Sequence, residues 1–125
     1  MISRSELNPN AYPLNPSQEA NLTRLLVTMN KVRSEYGLPM IVTSGFRSAE
    51  DEKRIDPAHP ESLHTRAAAC DIYDPDPQKR LWNWCVDNMS FLVELGVWLE
   101  DRNYSPSHVH FQIYPPASGK RIFIP

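Results

Sequence analysis

Cysteine, histidine and glycine are all scarce in this 125-residue chain, with two, four and four of each. Two cysteines, Cys70 and Cys85, make no disulfide framework, and no Cys-x-x-Cys pair is present, which excludes a cysteine-rich zinc module. Each sits in an apolar stretch and reads as a buried, reduced thiol. A basic surplus is lacking too: the formal net charge is −2, so nothing offsets the phosphates of a nucleic acid. The Lys-Arg pairs 53–54, 79–80 and 120–121 stand isolated and read as solvated. No apolar run approaches the ~20 residues of a membrane span, and the N-terminus has no apolar signal core. Synthesis in the cytoplasm without a signal peptide is therefore expected.

What is present suits one folded domain over residues 1–125. An apolar share of 41% can bury a single core at this length without covalent help. The twelve prolines gather at 9–16, 57–60, 75–77 and 115–125, which marks ordered loops. Residues 1–16 read as an extended lead-in. Leu22, Leu25, Leu26, Met29, Val32 and Tyr36 then recur on one helical face, with Ser17 as the N-cap and Gly37 and Pro39 as the stop. A short strand over 40–43 runs into Ser44-Gly45-Phe46-Arg47-Ser48, and Ser48 with Asp51 resembles a capping box for a helix at 49–55. Residues 56–63 read as loop, and 67–73 as a buried strand, although a helical turn fits that alanine-rich run as well. Asp74-Pro75-Asp76-Pro77 is a turn that caps a second helix, about 77–89, with Leu81, Trp84, Cys85 and Met89 inward. Phe91 to Leu95 extends that helix or forms a separate turn. A strand begins at Val97, a hairpin loop spans 102–107, and Val109, Phe111 and Ile113 alternate on the returning strand. The class is α+β: a small, mostly antiparallel sheet with two main helices.

Three of the four histidines lie in two short stretches, Ser62-Leu63-His64 and His108-Val109-His110, with Asp71 between them in Ala-Cys-Asp-Ile. Imidazole and carboxylate together suit zinc, and three protein ligands leave a fourth position for water. His64 and Asp71 can meet at one ion across a loop-to-strand connection. His108 and His110 project from one face of a strand, so one can ligate while the other lines a cleft. A base is also needed to take a proton from water. Glu100 is the leading candidate because it ends the strand expected to pair with the histidine strand, and Asp101 is the reserve. His59, in the proline loop, reads as an ordinary histidine. Trp82, Trp84 and Trp98 read as packing aromatics rather than sugar platforms. Arg66 and Gln112 lie close to the ligands and are given no role.

The ordered set Ser44-Gly45-Phe46-Arg47-Ser48, Ser62-x-His64-x-x-Ala67-x-Ala69-x-Asp71 and His108-x-His110 resembles the peptidase M15 type of zinc D-alanyl-D-alanine carboxypeptidases and murein endopeptidases. The resemblance spans residues 40–113 and particularly touches phage-encoded, wall-lysing members. It implies a hedgehog/DD-peptidase fold and one zinc ion held by His64, Asp71 and His110. It implies too that His108 serves substrate or the tetrahedral intermediate, and that Arg47 anchors a substrate carboxylate, with Ser44 and Ser62 as further donors. Two departures stand out. Ser105, Pro106 and Ser107 occupy the place where several members carry their acid, and Ala67 stands where glycine is usual. The implied partner is a peptidoglycan stem peptide, met by a monomer acting on the cell wall after release or as part of a virion. A non-enzymatic, zinc-stabilised murein-binding virion component and a cytosolic D-Ala-D-Ala dipeptidase are the alternatives.

Overall fold

The computed structural model describes residues 1–55 and 62–125; most of the proline loop expected over 56–63, including His59, lies outside the described residues. The lead-in is not extended throughout. Ser3 accepts from the Glu6 amide while Glu6 reaches back to the Ser3 amide, and this capping box starts helix α1 at Arg4–Leu7. The box seats Leu7 fully inside the core. Helix α2, Pro16–Tyr36, is capped by Asn15 rather than Ser17: the Asn15 side chain accepts from the Gln18 amide and Gln18 reciprocates, with Pro16 at the first helical position. Asparagine followed by proline satisfies the free amides and presets the first turn, so the helix begins earlier than the serine suggested. Gly37 ends it in the left-handed conformation, φ 80°. Leu22, Leu25, Met29 and Val32 are buried along one face, as the periodicity requires.

The chain then lays down β1 (Val42–Ser44), helix α3 (Ala49–Lys53), a 3₁₀ turn (Leu63–Arg66), β2 (Ala69–Tyr73), helices α4 (Arg80–Asp87) and α5 (Met89–Leu95), β3 (Trp98–Glu100), β4 (His108–Gln112) and β5 (Ile122–Phe123). The sheet order is β1-β2-β4-β3-β5, and every pairing is antiparallel except β3 with β5. Strand β5 was not expected, because two residues inside a proline-rich tail carry no periodicity; its pairing with β3 defines it. The region 102–107 is likewise no plain hairpin loop. It opens with a 3₁₀ turn at Arg102–Tyr104, and Arg102 is buried with its guanidinium donating to the Asp74 carbonyl.

Alternation splits the sheet into two faces. Cys70, Ile72, Leu99, Val109 and Phe111 point into the core with the buried face of α2. Asp71, His108, His110 and Gln112 point to the other side, and the register sets Asp71 directly opposite His110. A register irregularity between Val42 and Ser44 lets both residues take useful directions: Val42 packs on the core, while Ser44 is brought opposite Asp71. Asp74 accepts from the Leu81 and Trp82 amides at 3.0 Å each, which caps α4 from outside the helix. Asn88 separates α4 from α5, so Phe91 to Leu95 belongs to a helix of its own. Both cysteines are buried and free, and burial pushes both thiols well up. Among the described residues, no helix is long and apolar enough to cross a membrane.

Candidate metal centre

Three segments deliver the central side chains. Asp71 and His110 face each other across the β2–β4 ladder. His64 sits on the 3₁₀ turn, which Ser62 starts by accepting from the His64 amide at 3.2 Å. Ala67 stops that turn in the left-handed region (φ 59°, ψ 31°), its amide donating to the His64 carbonyl. Such a backbone costs an L-residue about 1–2 kcal/mol. That is the reason glycine suits this position, and here alanine carries the strain while fully buried.

The hydrogen bonds decide which imidazole nitrogen is available. His64 Nδ1 lies 2.8 Å from the Gly45 carbonyl, which can only accept, so Nδ1–H donates and Nε2 carries the lone pair. That Nε2 is 3.3 Å from Asp71 Oδ1, and His110 Nδ1 is 2.9 Å from the same oxygen. The three candidate ligand atoms all lie within 4.8 Å of one another, and all three residues are buried. Electron pairs converging in a buried space repel unless a proton or a cation stands among them. Two imidazoles and one carboxylate form a donor set that zinc accepts. The residues present therefore fit the ion.

Electrostatics agree. Burial alone would raise the Asp71 carboxyl, but hydrogen bonds and charge from His110 and His64 outweigh it and hold the group well below the usual carboxylate range. Burial likewise disfavours a charged His110, yet its hydrogen bond to Asp71 and the charge of that carboxylate lift it above the ordinary imidazole value. The second carboxylate oxygen, Asp71 Oδ2, faces Arg47 Nη2 at 3.4 Å and His108 Nε2 at 3.6 Å. His108 Nδ1 is 3.0 Å from the Pro106 carbonyl, so Nδ1–H donates there and Nε2 is turned towards the aspartate.

Arg47 is held on three sides. Its Nε donates to Ser44 Oγ at 3.0 Å, Nη1 to Glu52 Oε2 at 3.2 Å, and Nη2 to Asp71. Glu52 is nearly fully buried and was not foreseen; nothing in the run Ala49-Glu50-Asp51-Glu52 marks which acid turns inward. Glu100 lines the same cleft as His64, Asp71, His108 and His110, and its Oε2 accepts from Ser105 Oγ at 2.6 Å. The reserve acid is placed elsewhere: Asp101 Oδ1 accepts from the Asn103 amide at 2.9 Å and caps the 3₁₀ turn, outside the cleft lining. Ser62 lines the cleft as well as capping the turn. The cleft, about 950 Å³, has an apolar side made by Tyr104, Pro116, Phe123 and Ile124. Gln112, given no role from sequence, accepts at Oε1 from His110 Nε2 at 2.8 Å. Its place two residues beyond His110 on a strand is a signal that alternation offered.

A buried His-Asp-His donor set beside a cleft that also holds a glutamate, an arginine and a further histidine is the equipment of a metallopeptidase. The family model described as Peptidase M15 matches residues 5–101, most of the chain, and the protein belongs to that zinc-dependent family. The match ends before His110, the third residue of the candidate set, which the β2–β4 register brings opposite Asp71. No curated protein and no solved structure matches the chain.

Proposed function

We propose that this protein is a zinc-dependent peptidase that hydrolyses a peptide bond next to a D-amino acid in peptidoglycan stem peptides, in the service of phage or prophage wall lysis. The observation that carries the peptidase reading is the convergence of His64 Nε2, Asp71 Oδ1 and His110 Nδ1 in a chain of the M15 family. Zinc, when bound, supplies Lewis-acid polarisation of a carbonyl and acidifies a water.

The chain's own groups account for the rest. Glu100 takes the proton from the attacking water and passes it to the leaving amine; Ser105 holds its carboxylate in one orientation. His108, in its doubly protonated form, keeps Nδ1–H on the Pro106 carbonyl and donates from Nε2 to the oxyanion that develops on the scissile carbonyl. Arg47, steadied by Ser44 and Glu52, turns its remaining N–H groups to a substrate carboxylate. Ser62 supplies a hydroxyl at the cleft wall. The apolar wall of Tyr104, Phe123 and Ile124 shields the reacting groups from bulk water on one side.

Mass spectrometry of murein digested by the purified protein, with and without a chelator, tests the assignment. New amine termini that vanish on chelation, and in the His110→Ala variant, are expected. Stoichiometric zinc with no cleavage of murein would point instead to a wall-binding module, and cleavage of free D-Ala-D-Ala alone to a dipeptidase.

A further inference from the structure

We infer that Gln112 is a positioning residue for the metal centre: it locks the tautomer of His110, and with it the nitrogen that ligates. The inference rests on the metallopeptidase reading above and adds a residue that reading does not use.

An imidazole offers a lone pair from one nitrogen only when its proton sits on the other. His110 Nδ1 faces the site, 2.9 Å from Asp71 Oδ1. A proton on Nδ1 would satisfy Asp71 and leave no lone pair for a metal. The alternative is a proton on Nε2, and that needs an acceptor. Gln112 Oε1 stands 2.8 Å from Nε2.

A glutamine could in principle turn its amide over and donate instead, which would favour the wrong tautomer. The backbone prevents it. Gln112 Nε2 donates to the Tyr114 carbonyl at 2.9 Å, and a carbonyl can only accept. Flipping the amide would set oxygen against oxygen at Tyr114 and destroy that contact. Tyr114 is in turn anchored: its hydroxyl donates to Asn21 Oδ1 at 2.6 Å, and Arg24 lies over its ring while donating to the neighbouring Ile113 carbonyl. Both partners belong to α2, so the direction of one amide is set by the longest helix of the fold. Gln112 itself is buried, so water offers no ready substitute.

The same device serves the other imidazole in mirror form. At His64 the Gly45 carbonyl accepts from Nδ1 and frees Nε2. A backbone carbonyl cannot be altered by substitution; Gln112 can, so the inference is open to direct test.

In zinc-loaded protein carrying nitrogen-labelled histidine, His110 should show a bonded proton on Nε2 and none on Nδ1. A proton on Nδ1 overturns the inference with no substitution made. Zinc affinity, measured by competition with a chromophoric chelator, should fall about 10- to 100-fold in Gln112→Leu. Gln112→Glu keeps an acceptor against Nε2 and should bind more tightly than the leucine variant. A packing role alone reverses that order, because leucine fills the space without burying a charge; equal or tighter binding by Gln112→Leu therefore overturns the inference and leaves the metallopeptidase reading intact. Failure of the native chain to bind zinc at all would overturn both.

Discussion

Replacing Gly45 by alanine should damage the fold and the metal centre together. Gly45 has no positive φ to accommodate, so conformational freedom is not its reason. Its reason is space. A Cβ there would stand 2.3 Å from the Leu7 carbonyl oxygen and 2.8 Å from two further Leu7 backbone atoms. Backbone cannot swing aside as a side-chain tip can, so either the Leu7 segment or the 44–47 loop must move. Overpacking of this kind costs about 1–3 kcal/mol. The Phe46 amide donates to the same Leu7 oxygen at 2.7 Å, and losing that bond adds about 1 kcal/mol. A total of about 2–4 kcal/mol in a domain of this size lowers the unfolding midpoint by roughly 6–16 °C. Because the Gly45 carbonyl orients His64, zinc affinity should fall as well. Thermal unfolding by circular dichroism and a chelator competition read the two effects. A Gly45→Ala protein with native midpoint and native zinc affinity would refute the packing of Leu7 against the motif and the anchoring of His64 through it.

Glu100→Gln should retain stoichiometric zinc and lose turnover by about 10²–10⁴-fold, as removal of a general base does; a variant that still cleaves at the native rate would take Glu100 out of the reaction. In zinc-free protein the raised His110 contributes stability that is full below its ordinary value of 6.5 and is lost as pH rises through the folded value, while the depressed Asp71 contributes stability that is full above 3.8 and lost as pH falls. Unfolding midpoints of chelated protein should therefore peak between these two values and decline above pH 6.5, and zinc affinity should rise over that same upper range as the ion displaces a proton; an unfolding midpoint that climbs steadily from pH 6 to 9 contradicts the pairing. Phe111, fully buried on the core side of β4, should cost about 3–5 kcal/mol on substitution by alanine, measured by urea unfolding; a loss under 1 kcal/mol would mean that the strand faces the other way.

Local chemistry was largely legible in the chain. The face of α2 followed from apolar spacing, β4 from alternation, and the donor set from where histidine occurs. The misreadings have local causes. Ser3-x-x-Glu6 is a capping box that the prolines nearby overshadowed. Asn15 with Pro16 outcompetes Ser17 as a helix start. Strand β5 has no pattern of its own and exists because β3 offers it a free edge.

Sequence alone marked which side chains could bind a metal and that His108 and His110 share one strand face, since side-chain chemistry and a period of two are properties of neighbours along the chain. Tertiary structure decided the rest: which nitrogen of each imidazole is free, why position 45 tolerates no side chain, which acid meets Arg47, and which of Glu100 and Asp101 reaches the cleft. Each of these depends on a carbonyl, an amide or a carboxylate brought from a distant segment. Hydrogen bonds and steric exclusion act over a few ångströms in space, and no spacing along the chain encodes that proximity.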